Sequence, residues 1–108
     1  MIDDPLRVDY LNKHIAAIGT AIAKGADVQG YMLWSFLDNL EWSLGYSKRF
    51  GIVHVNFKTL ERTPKKSARS NASTISTNAE CLFDKNYIRR GVADRFTATL
   101  CVARYSHN

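Results

Sequence analysis

The chain has 108 residues, 45% of them hydrophobic and 23% charged, with a formal net charge of +5. That suffices for one small domain and is too little for two, and its twelve aromatic residues set it apart from disordered sequences. No apolar run approaches the ~20 residues of a membrane span, and the opening Met1-Ile2-Asp3-Asp4-Pro5 lacks the pattern of a signal peptide.

The first element in chain order is a helix over residues 5–24. Asp4 stands at the N-cap position, and Pro5 takes the first helical position, where its missing N–H costs nothing. Leu11, Ile15, Ile18 and Ile22 recur at intervals of four, three and four, which places them on one helical face. Gly25 ends the helix as a C-terminal cap. Residues 28–33 (VQGYML) are mostly apolar without clean alternation and predict a strand buried on both faces in a parallel sheet. Helix, short link and strand together make an αβ unit.

Residues 35–50 mix Asn39, Ser43, Gly45 and Ser47 with aromatics and charges and read as a long loop. Residues 51–57 alternate and suit a short strand, and residues 58–62 a turn. Thr63-Pro64 reads as a second helix start, with Thr63 as N-cap and the helix running through Lys65, Ser67 and Ala68. From Ser70 the composition changes. The stretch SNASTISTNA is a poor helix interior, because its side chains compete for the backbone. Beyond it, Val92, Phe96 and Leu100 are spaced for a short helix and nothing else shows a period.

Charge is distributed unevenly. Residues 1–60 carry six basic and six acidic side chains, and residues 61–108 carry nine and four. The basic residues of the second half are scattered and no nucleic-acid-binding motif frames them, so a solvated surface is expected and no nucleic-acid partner. Cys81 and Cys101 form no zinc-type pair, and His14, His54 and His107 have no metal-ligand spacing. The expectation is a reduced, cytoplasmic chain with no metal, no cofactor and no membrane partner.

The stretch WSFLDNLEW, residues 34–42, carries the chemistry. Two indoles and two carboxylates follow directly on the apolar run, and α/β barrels place their active sites where parallel strands end. Sugars suit such residues, because their C–H faces stack on indole rings and their paired hydroxyls donate to a carboxylate. Composition by itself favours a plainer reading, with Trp34 and Trp42 in the core and Glu41 a surface charge. Asp38 reads as a loop-structuring side chain, not a catalyst.

The segment GADVQGYMLWSFLDNLEWSLGYSKRFGIVHVNFKTLERTPKKSA, residues 25–68, with DPLRVDYLNKHIAAIGTAIAKG upstream, resembles the C-terminal segment of glycoside hydrolase family 1. That is the β-glucosidase and β-galactosidase family. The resemblance implies an α/β fold that is the C-terminal part of a (β/α)₈ TIM barrel, its last helix-strand units, with residues 30–34 in the eighth strand. Residues 1–79 would be that segment, and residues 80–108 an irregular, unrecognised tail, either disordered or frameshifted. The resemblance also implies a β-glycoside substrate and four contacts to its non-reducing sugar. Trp34 would be the stacking platform, and Glu41 would bind the hydroxyls at carbons 4 and 6. Trp42 would bind the hydroxyl at carbon 3 through its indole N–H, and Phe50 would line the pocket near carbon 6.

Retaining hydrolysis needs two carboxylates about 5–5.5 Å apart. The family places them in an asparagine-glutamate-proline stretch and a threonine-glutamate-asparagine-glycine stretch. This chain has three glutamates, Glu41, Glu61 and Glu80, and none stands in either motif. No catalytic residue is therefore assigned. The expectation is a partial β-glucosidase holding part of the sugar subsite. A stand-alone carbohydrate-binding module using the same residues is the first alternative, and a basic interaction domain ranks after it.

Overall fold

The computed structural model describes residues 1–79 and 82. Helix α1 (Pro5–Ala23) opens the fold. It is followed by a long irregular segment containing one 3₁₀ turn (Trp42–Leu44). Strands β1 (Val53–Val55) and β2 (Arg62–Pro64) come next, and helix α2 (Lys66–Ser76) follows. The two strands form an antiparallel hairpin in which Val53 faces Pro64, His54 faces Thr63 and Val55 faces Arg62. The short helix read over Val92, Phe96 and Leu100 lies outside the described residues.

The α1 reading holds to within a residue. Leu11, Ile15 and Ile22 are buried, together with Gly19. Gly25, at φ 97°, closes the helix. Its N–H reaches the Ile22 carbonyl at 3.0 Å and the Ala26 N–H reaches that of Ala21 at 3.0 Å, the double bond of a Schellman end. Asp4 does stand at the N-cap position, but its side chain makes no bond to its own helix. Its carboxylate accepts instead from the Ser67 N–H at 2.8 Å and the Ser67 hydroxyl at 2.5 Å, capping the first turn of α2 from 63 residues away.

Three sequence expectations need correction. Residues 28–33 form no strand. A parallel strand exists only with hydrogen-bonded neighbours, and none of the backbone groups of residues 28–33 has such a partner among the described residues. Burial there is one-sided, with Leu33 buried and Met32 75% exposed. Thr63 and Pro64 belong to β2 and not to a helix start, because Thr63 pairs with His54. Helix α2 begins at Lys66 and runs through most of the serine- and threonine-rich stretch. Those side chains bond carbonyls of the same helix, Thr74 to Ser70 at 3.0 Å and Thr77 to Ser73 at 3.0 Å, so they do not unwind it. Ser67, Asn71 and Thr74 recur at four and three and turn a buried face of small polar residues inward.

Two apolar clusters share the face of α1. Ile15 and Ile22 pack with Ala79, Val28 and Tyr31. Leu11 packs with Leu33, Ile52 and Val53, and Tyr31 touches this cluster as well. The extended segment before the hairpin is therefore pinned to α1 by Val28, Tyr31 and Leu33. It then runs beside β1, where Leu37 and Val53 form a parallel bridge. No described helix is long and apolar enough to cross a membrane.

Candidate functional site

Residues 34–50 leave the α1 face at Leu33 and return to the core at Gly51. The entry is held from two sides. Arg7 of α1 donates to the Trp34 carbonyl at 2.7 Å, and the Ser35 N–H donates to the Phe50 carbonyl at 3.0 Å. That second bond brings the two ends of the loop together, so Phe50 sits beside the residue that follows Trp34. The Trp34–Ser35 peptide bond is cis.

Trp34 and Glu41 meet directly. The indole N–H of Trp34 donates to Glu41 Oε2 at 3.3 Å across seven positions of sequence. A carboxylate offers about four lone-pair sites, so one long bond leaves Glu41 with acceptor capacity for hydroxyls. Trp34 is 59% exposed and Trp42 85% exposed, so neither indole is a core residue. Phe50, at the end of the same loop, is 39% exposed.

Trp42 also has φ 42°, in the left-handed region that costs an L-residue about 1–2 kcal/mol. The turn that imposes it is tight. The Glu41 N–H donates to the Gly45 carbonyl at 2.8 Å, and the Leu44 N–H donates back to the Glu41 carbonyl at 2.8 Å. Gly45 takes φ 55° with no side chain to obstruct it. The Trp42 carbonyl accepts from the Gly45 N–H at 3.1 Å, while its indole stays on the surface. Such an outlier points toward function.

Behind the loop, Asp38 is 4% exposed, and both its oxygens are engaged. Oδ2 accepts from Arg49 at 2.9 Å and from the Val55 N–H at 3.3 Å. Oδ1 accepts from the Gly51 N–H at 3.0 Å and from Lys65 at 3.1 Å. Burial alone would raise its pKa, but the bonds from Arg49 and Lys65 outweigh it and hold the carboxyl below the usual aspartate value. Arg49 in addition lies over the Phe57 ring, 4.4 Å from its centroid. Sequence reasoning placed Asp38 in a structuring role but gave no role to Arg7, Arg49 or Lys65. Their partners lie 6 to 27 positions away, beyond any local signal. Glu80, Cys81, Cys101 and His107 lie outside the described residues, and among the described residues no group of three His, Cys, Asp or Glu side chains could hold a metal.

The geometry is thus an exposed indole bonded to one carboxylate, with two further exposed aromatic side chains on the same loop and a small α/β unit behind it. The glycosyl hydrolase family 1 model matches residues 1–80. The chain belongs to that family. It is 54% identical over 70 residues to β-glucosidase 4 of Oryza sativa subsp. japonica, covering 64% of this chain and 14% of that one. It is 52% identical over 67 residues to a 6-phospho-β-galactosidase of Streptococcus equi subsp. zooepidemicus, covering 62% and 14%. Among solved structures, the family 1 β-glucosidase of Exiguobacterium antarcticum B7 superposes with a TM-score of 0.69 at 44% identity, over 76% of this chain and 18% of that one. The Thermotoga maritima β-glucosidase in complex with glucoimidazole gives 0.67 at 44%, over 68% and 17%. These neighbours are TIM-barrel enzymes, and the described residues form a small α/β piece matching part of them. The chain spans about one seventh of the length of its curated relatives, 14% for both of those above.

Proposed function

We propose that this segment is the C-terminal, sugar-holding portion of a retaining β-glucosidase. Trp34 is the stacking platform, Glu41 the acceptor for the hydroxyls at carbons 4 and 6, Trp42 the donor to the hydroxyl at carbon 3, and Phe50 the wall near carbon 6. The observation that carries the reading is the Trp34–Glu41 bond at 3.3 Å, which joins an exposed ring to a carboxylate with acceptor sites to spare. Family membership supports a β-glycoside as the substrate.

The relatives divide between β-glucosidases and 6-phospho-β-galactosidases. A carboxylate at the carbon-6 end favours the unphosphorylated sugar. Two like unit charges about 4 Å apart near a protein surface cost about 4 kcal/mol, more than one hydrogen bond returns. The two carboxylates that cleave the bond are assigned to no residue of this chain. In this reading it binds sugar and leaves the chemistry to other barrel strands.

Titration of the purified chain with methyl β-glucoside, followed by tryptophan fluorescence, tests the proposal. Binding that weakens in Glu41→Ala, without turnover of an aryl β-glucoside, is the expected result. Turnover that disappears in Glu41→Gln would overturn it. In a complete family 1 enzyme carrying this segment, Glu41→Ala should lower kcat/KM by about one to three powers of ten, because a charged acceptor strengthens as the transition state forms.

A further inference from the structure

Asp38 lies in the loop that carries the proposed sugar contacts, between Trp34 and Glu41, yet its side chain is buried behind that loop. Four donors converge on it from well-separated parts of the chain. Arg49 comes from the far end of the same loop. Gly51 and Val55 come from β1 and its approach, and Lys65 from the residue before α2. Lys65 also donates to the Arg49 carbonyl at 3.2 Å, and Arg49 to the Val55 carbonyl at 2.8 Å, so the donors brace one another. Gly51 permits the approach. A Cβ there would lie 2.1 Å from the Asp38 nitrogen and 2.3 Å from the Leu37 carbonyl carbon, distances that only a hydrogen can occupy.

We propose that Asp38 is a positioning residue of the sugar subsite: by gathering both ends of residues 38–51 onto one carboxylate, it fixes the path that brings Glu41 to the Trp34 indole. The proposal rests on the reading of Trp34 and Glu41 as sugar contacts and extends it to a buried residue that touches no sugar. Arg7 of α1 holds the Trp34 carbonyl without any contact to Asp38. Loss of the Asp38 carboxylate therefore frees the Glu41 side of the pair first, and leaves the α1 clusters of Leu11, Ile15 and Ile22 in place.

The test is made on the full chain, labelled with nitrogen-15 and with carbon-13 in its isoleucine and leucine methyl groups. The Trp34 indole N–H resonance, assigned by its disappearance in Trp34→Phe, reports the bond to Glu41. Asp38→Asn keeps the shape but turns one acceptor into an NH₂ donor facing Arg49 or Lys65. Its indole resonance should move to the position seen in Glu41→Ala, with the methyl signals of Leu11, Ile15 and Ile22 unmoved. Affinity for methyl β-glucoside should fall about tenfold, one hydrogen bond's worth. Lys65→Met removes one donor of four and should move the same resonance less. An indole resonance unmoved in Asp38→Asn would overturn the proposal. So would methyl signals that collapse along with it in both variants, which would make Asp38 a general support of the fold. If the resonance moves but Glu41→Ala binds the glucoside as well as the unsubstituted chain, the sugar reading fails and the positioning of Trp34 against Glu41 stands.

Discussion

Asp38 and Glu41 are three residues apart and live in opposite surroundings, one enclosed by donors and the other on an open face beside an indole. The enclosed one makes the fold sensitive to acid. Arg49 from the loop and Lys65 from the start of α2 face Asp38 and hold its pKa below the usual value. A group whose folded pKa is depressed contributes its full stability above its unfolded value, about 3.9 for aspartate. That contribution shrinks as pH falls through this value and then through the lower, folded one. Urea unfolding followed by circular dichroism should therefore show a midpoint that drops between neutral pH and about pH 3. Asp38→Asn, which cannot titrate, should lower the midpoint at neutral pH and flatten its dependence on acid. An equal slope in both chains would remove Asp38 as the cause. Trp34, Trp42 and Glu41 gained their roles through the resemblance to family 1, since composition by itself favoured core indoles and a surface carboxylate. Their exposure was not legible in the chain, since the same letters suit a core as well as a pocket.

At the scale of elements, the signals that were legible were local. The apolar spacing and terminal glycine of α1 involve residues within one or two turns, so they read correctly from the chain alone. The N-terminus of α2 did not, since the carboxylate that caps it belongs to Asp4. Asp4→Ala should accordingly weaken α2 and spare α1. A cap of this kind contributes about 1 kcal/mol. Amide hydrogen exchange should speed up by about fivefold over residues 67–70, with residues 8–12 unchanged. Faster exchange in the first turn of α1 would mean that Asp4 caps its own helix after all. The serine- and threonine-rich part of α2 teaches the same lesson in reverse. Propensity argued against a helix, and packing on α1 with hydroxyl bonds to its own carbonyls prevailed.

For the whole molecule, the uncovered side of residues 28–36 matters most. Met32 (75%), Trp34 (59%) and Phe36 (40%) are exposed at alternate positions, opposite the side that Tyr31 and Leu33 turn to α1. Beside them, the backbone of residues 28–33 has no hydrogen-bonded partner among the described residues. Apolar patches with unpaired backbone recruit other chains. Sedimentation velocity of the purified chain should show association that increases with concentration, and Met32→Lys with Phe36→Lys should return it towards monomer. A monomer at every concentration, with a sharp cooperative melt, would favour the stand-alone carbohydrate-binding module.

The sequence by itself determined the family, through the run of residues 25–68, and the helix α1, through its periodicity, Pro5 and Gly25. It also determined the hairpin's first strand, through the alternation that leaves Val53 and Val55 buried around half-buried His54. The two elements rest on residue spacing within a short window, and the family on a resemblance that runs along some seventy residues. Tertiary structure alone decided that residues 28–33 stay unpaired, that Thr63 and Pro64 join a strand, and that Asp4 and Asp38 each serve segments far from their own. Hydrogen-bond partners are chosen by which groups meet in space, and two groups 27 or 63 positions apart carry no mark of one another in the chain.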